Sequence, residues 1–121
     1  MNLVSNVSEF KYDSLIANVS FPIQTAAIAL ASGNGLLVRG SVLGKTADNS
    51  IILVGGETTA TAEFILAEDV DTGDTAGSTV NAIVYVSGAF NRNALVFDGT
   101  ATANDCEEDL KKFGIYLKAV L

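Results

Sequence analysis

The groups in this chain best able to do chemistry are carboxylates. Glu68, Asp69, Asp71 and Asp74 crowd into residues 68–74, which read Glu-Asp-Val-Asp-Thr-Gly-Asp. Hard cations take clustered oxygens, so the loop is a candidate calcium site. It lacks the Asp-x-Asp-x-Asp-Gly order and terminal glutamate of an EF-hand loop, and a solvated acidic loop is the simpler reading. Two carboxylates can also hydrolyse a glycoside, because that pairing is spatial. A sugar cleft normally adds aromatic platforms, and this chain has no Trp and three Tyr.

Residues 40–46, Gly-Ser-Val-Leu-Gly-Lys-Thr, end like a phosphate-binding loop. The spacing fails. The residue five before Gly44 is Arg39, and Gly40 leaves only three residues between the glycines. A turn and an apolar strand follow, where phosphate binding wants a helix N-terminus. Cys106 is the only cysteine and there is no histidine. That excludes an internal disulfide, Cys/His zinc sites and His-activated nucleophiles. Cys106 lies on the apolar stripe of a predicted helix and reads as an inert core residue. No catalytic, cofactor or metal residues are assigned, and the chain reads as a protein that binds and assembles. Arg39 interrupts an apolar strand. It is either an outward charge on an edge or half of an ion pair at a subunit contact, where its planar fork is favoured.

These groups must be positioned by 121 residues, enough for one domain. Apolar residues make up 49% and charged ones only 17%, so part of the surface is neutral. The net charge of −7 argues against nucleic acid as a partner. No apolar run is long enough to span a bilayer. The N-terminus lacks the order of a secretory signal, and a lone cysteine suits a reducing compartment such as a bacterial cytoplasm.

Residues 1–22 read as an arm. Val7, Phe10, Tyr12, Leu15, Ile16, Val19 and Phe21 are scattered without a sustained period, and Pro22 closes the segment. Such an arm either packs on its own domain or reaches a neighbour. Residues 23–121 form the domain. Predicted strands cover 23–30, 36–43 with a bend at Gly40, 51–54, 62–67, 80–86, 94–97 and 115–121. Turns are predicted at 32–35, 47–50 and 88–93, and a loop at 68–77. One helix is predicted over 104–113. Asn104 and Glu107 would cap it, Cys106, Leu110 and Phe113 would face the core, and Gly114 would end it. The pattern is mainly β with one helix in the C-terminal half, an α+β domain or a partly open barrel.

Several segments resemble the lambda-type head decoration proteins of tailed phages. In order they are 12–17 (Tyr-Asp-Ser-Leu-Ile-Ala), 21–23 (Phe-Pro-Ile), 31–33 (Ala-Ser-Gly), 37–44 (Leu-Val-Arg-Gly-Ser-Val-Leu-Gly), 64–67 (Phe-Ile-Leu-Ala), 85–91 (Tyr-Val-Ser-Gly-Ala-Phe-Asn) and 110–115 (Leu-Lys-Lys-Phe-Gly-Ile). From the arm to Arg39-Gly40 the chain is more similar to decoration proteins of siphophages and prophages generally than to lambda's own. The resemblance implies a compact β-tulip-like domain with an extended N-terminal arm. It implies homotrimers at three-fold and quasi-three-fold sites on the outer surface of an expanded virion capsid, cementing it against DNA pressure. The partner would be a major capsid protein of HK97 fold, engaged by the arm adding a strand. Deleting residues 1–20 would then leave a folded domain without capsid binding. Other readings are a tail, baseplate or adhesin-like β module and a small ligand-binding barrel.

Overall fold

In the computed structural model, residues 15–17, 22–56, 59–99 and 101–119 are described. The strands are β1 (Gln24–Ala31), β2 (Leu36–Leu37), β3 (Val42–Lys45), β4 (Ile51–Leu53), β5 (Thr61–Leu66), β6 (Val70–Asp71), β7 (Thr79–Asn91) and β8 (Ile115–Lys118). The helix α1 covers Ala103–Lys111. The fold is mainly β with one short helix, and the main sheet curls into a half-barrel.

The long strand β7 organises the sheet. Its first part is rich in β-branched residues that suit a pleated surface. There it pairs antiparallel with β1, from Ala31↔Thr79 to Gln24↔Ser87, and with β5 through Ile65↔Tyr85 and Leu66↔Val84. The turn predicted at 88–93 begins only at Arg92. β7 continues through Gly88 to Asn91, and a 3-10 turn at Arg92–Ala94 follows. Gly88–Asn91 stays extended because both its edges are occupied. β8 runs parallel on one side. On the other, the Asn91 N–H donates to the Leu15 carbonyl at 2.7 Å and the Ala17 N–H to the Ala89 carbonyl at 2.9 Å.

The sheet order is β1-β7-β5-β3-β4, and its edges β1 and β4 approach each other without pairing. The strand predicted over 36–43 is broken in two. The chain turns at Arg39–Gly40, where Gly40 has φ +96, a left-handed conformation that side chains disfavour. This frees Leu36–Leu37 to pair with Val70–Asp71, a small second sheet inside the predicted loop. The glycine of the phosphate-loop look-alike also has a packing role. A Cβ at Gly44, within β3, would collide with the backbone carbonyl of Thr61 on β5.

Neighbouring residues on a strand point to opposite faces, and the two cores divide accordingly. Val42, Ile65, Tyr85 and Phe90 join Leu15, Cys106, Leu110, Ile115 and Leu117 beneath the helix. Leu43, Leu66 and Val84 join Leu30, Leu37, Ile51 and Ala82 on the other face, beneath the β2–β6 ribbon. Ile115 and Leu117 are buried as predicted, but the last strand stops at Lys118 and Ala119 is exposed.

The helix cap differs from the expectation. Thr102 is the N-cap residue, and its N–H donates to the Asp105 carboxylate at 2.8 Å. Asn104 and Glu107 are engaged by Arg92 instead. The helix ends before Phe113, which lies in the following turn, 45% exposed.

Candidate interaction surface

Of the predicted arm residues, Val7, Phe10, Tyr12, Val19 and Phe21 lie outside the described residues. Leu15 is a core residue, 2% exposed, and Ile16 packs beside it. Leu15 therefore faces its own domain. Its segment is stitched to β7 through backbone bonds, so a cut after residue 20 would remove part of the core.

Arg39 is committed within its own chain. Its guanidinium donates to the Ala67 carbonyl at 2.9 Å and to the Tyr85 hydroxyl. Its backbone N–H donates to the Asp69 carboxylate at 2.8 Å. Tyr85 in turn meets Phe90 with ring centroids 5.1 Å apart. One arginine thus ties the β2–β3 turn to the β5–β6 connection and to the central strand.

A second arginine does comparable work at the helix. The Arg92 guanidinium holds Glu107 at 2.9 Å and Asn104 at 2.6 Å. The hydrogen bond and charge of Arg92 hold the Glu107 carboxyl below its ordinary range, outweighing partial burial. Sequence reasoning missed this link. Arg92 lies in the predicted turn, and only the paired i, i+3 acceptors Asn104 and Glu107 hinted at it.

The acidic loop is used structurally. Asp69 caps the Arg39 N–H, and Asp71 accepts the Gly73 N–H at 2.9 Å. Thr72, 2% exposed, joins this loop to the 32–35 turn. Its hydroxyl donates to the Gly35 carbonyl at 2.7 Å and accepts the Asn34 N–H at 2.9 Å. Among the described residues, no cluster of His, Cys, Asp and Glu is placed to hold a metal ion. Cys106 is buried, and burial together with Asp105 and Asp109 pushes its thiol up to about 11. At neutral pH it is protonated and a poor nucleophile.

What remains on the surface suits contact. On the β2–β6 ribbon, Leu36 stands opposite Asp71 and is 65% exposed, while Val38 is 38% exposed. At the far end of the chain Phe113 and Tyr116 are exposed among Lys111, Lys112 and Lys118. No helix among the described residues is long and apolar enough to cross a membrane.

The comparison with known families decides between assembly and the other readings. The model of bacteriophage lambda head decoration protein D matches residues 5–115. The chain belongs to this family. It is a phage structural protein of the virion, a capsid decoration protein. No curated protein matches the chain. Its family is structural and not one of enzymes.

Proposed function

We propose that this chain cements an expanded phage head. In this reading it binds as trimers at three-fold and quasi-three-fold positions, on the outer surface of a lattice of HK97-fold coat subunits. It is made in the cytoplasm of the bacterial host and contacts neither nucleic acid nor membrane. The single observation that supports the reading is the family match over residues 5–115.

The mechanism is thermodynamic. A protein that binds the expanded lattice and not its disrupted form stabilises that lattice by mass action. A trimer touching several coat subunits adds modest contacts through multivalency. Packaged DNA presses outward, and each bridging contact raises the force the shell withstands. The coat is engaged by the segment upstream of Leu15, with backbone bonds that ask little of side-chain identity.

The test is co-sedimentation of the purified protein with expanded heads that lack it, followed by shell melting. The expected result is saturable binding near one copy per coat subunit and a higher melting temperature. A chain lacking residues 1–14 keeps its Leu15 anchor, so it should fold and fail to bind. Absence of binding by the full chain to heads of its own phage would overturn the cement reading.

A further inference from the structure

Asn34–Gly35 is the chain's one Asn-Gly pair, and Asp98–Gly99 is its one Asp-Gly pair. In an Asn-Gly pair the glycine nitrogen can attack the side-chain amide before it, because no Cβ stands in the way. Here the Gly35 N–H would lose its proton to solvent, and the nitrogen would bond to the Asn34 Cγ. The Cγ–Nδ2 bond breaks and its nitrogen leaves as ammonia. A five-membered imide remains, and water opens it at either carbonyl to aspartate or isoaspartate. Asparagine and water thus become acid and ammonia, with no other reactant.

Sterically the pair is open. Asn34 is exposed, and a Cβ built on Gly35 would meet no atom of the described residues within 4 Å. Hydrogen bonds close it instead. The attacking nitrogen is occupied, because the Gly35 N–H donates to the Gly73 carbonyl at 3.0 Å. The Gly35 carbonyl accepts the Thr72 N–H at 2.8 Å and the Thr72 hydroxyl at 2.7 Å. The Asn34 N–H donates to the Thr72 hydroxyl at 2.9 Å, and its side-chain amide donates to the Ala31 carbonyl at 3.2 Å. All but the last of these bonds cross to residues 72–73, next to a ribbon of only two residue pairs, Leu36↔Asp71 and Leu37↔Val70. Short, exposed backbone ladders open locally at far less than the cost of global unfolding.

We propose that Asn34 is a gated deamidation site, protected while the ribbon is closed and modified when it opens. Both products oppose reclosure. Isoaspartate inserts the former side-chain carbon into the main chain of the 32–35 turn, which moves Gly35 out of register with Thr72 and Gly73. Aspartate puts an acceptor where the amide donated to the Ala31 carbonyl. It also adds a charge beside residues 68–74, which already contain four carboxylates. The modification is therefore a one-way record of ribbon opening.

The test is long incubation of the folded full chain at mildly alkaline pH, next to a synthetic peptide of residues 31–37. Peptide mapping by mass spectrometry assigns the product to residue 34 and separates it from isoaspartate at Asp98. The full chain should deamidate at least about tenfold more slowly than the peptide. Thr72→Val, checked for folding by circular dichroism, should deamidate about tenfold faster than the wild-type chain. Where that variant does not fold, wild type in urea below its unfolding transition replaces it, and deamidation should rise in step with amide exchange at Gly35. Asn34→Asp should speed amide exchange at Gly35 and Thr72. A full chain that deamidates as fast as the peptide overturns the proposal. So does a folded Thr72→Val that deamidates at the wild-type rate, or exchange at Gly35 that rises in urea without deamidation. Unchanged exchange in Asn34→Asp overturns the one-way step.

Discussion

The two faces of the curled sheet bury similar aliphatic residues but are closed by different chemistry. The helix face is fastened by side chains. Arg92 bridges to Glu107 and Asn104, and Arg39 to Tyr85, above a core that includes Phe90, Leu110 and Leu15. The ribbon face is fastened mostly through backbone groups. β2 pairs with β6, and Thr72 satisfies Gly35 and Asn34 across the adjoining turns. Charge-based closure responds to pH and salt, whereas backbone closure does not. The helix face should therefore loosen first in acid, and the ribbon face should be the more indifferent of the two.

The largest expected effect comes from Phe90, fully buried at the point where β7 meets β8 and Leu15. Phe90→Ala should cost about 3–5 kcal/mol, from lost burial and the cavity left behind. Leu43→Ala on the ribbon face should cost about 2–5 kcal/mol by the same mechanism. Urea unfolding measures both, and amide exchange separates them. Phe90→Ala should release protection at Ala17, Gly88 and Asn91 before that at Gly35 and Thr72. Simultaneous loss at both faces would mean that the two cores open as one unit.

Thr72→Val is the matching probe of the ribbon. It removes a buried hydroxyl with two partners and leaves the Asn34 N–H and the Gly35 carbonyl each with one bond fewer. The expected loss is about 1–3 kcal/mol. The loss should be independent of pH between mildly acidic and neutral conditions, since neither the Thr72 hydroxyl nor its two backbone partners titrates there. A pH-dependent loss would move the ribbon into the same class as the helix face.

Acid titration tests the helix face directly. Arg92 lowers the Glu107 pKa in the folded chain. A depressed carboxyl contributes stability that is fully present above its unfolded pKa. That contribution is lost as pH falls through the lower folded value. Glu107→Gln should therefore cost about 0.5–1 kcal/mol at neutral pH, and the difference from wild type should vanish in strong acid. Urea midpoints measured across that range would show a constant offset if the Arg92 bridge contributed nothing through charge.

How much of this could be seen in the sequence follows the same division. Local signals were legible: β1, β4, β5, the 32–35 and 47–50 turns, and the buried Ile115 and Leu117 all lie where alternation and turn chemistry put them. What misled were residues whose behaviour is set from afar. Gly88 looks like a turn residue, yet β8 and the Leu15 segment hold it in a strand. Asn104 and Glu107 look like a capping pair, yet Arg92 occupies both and leaves the cap to Thr102 and Asp105. Arg39 looks like a surface charge, and its acceptors lie 28 and 46 positions further along the chain. Local pattern reads local bonds well, but these acceptors are fixed only by topology.

Cys106 gives the smallest effect and the sharpest reporter. It is the chain's only thiol and sits in the helix-face core, 3% exposed, with its pKa pushed up to about 11 by burial and by Asp105 and Asp109. Its raised folded pKa makes a contribution that is complete below the unfolded value and is lost as pH climbs through about 11. Near neutral pH a thiol reagent should then modify Cys106 only when the helix lifts, because the reactive species is the thiolate. Labelling in Glu107→Gln should be faster than in wild type, and labelling in Thr72→Val should be unchanged. If both variants accelerate labelling equally, the faces do not open separately and the contrast between side-chain and main-chain closure fails. If only Glu107→Gln does, the Arg92 bridge is the latch of the helix face, and the ribbon stays closed over its own core while the helix moves.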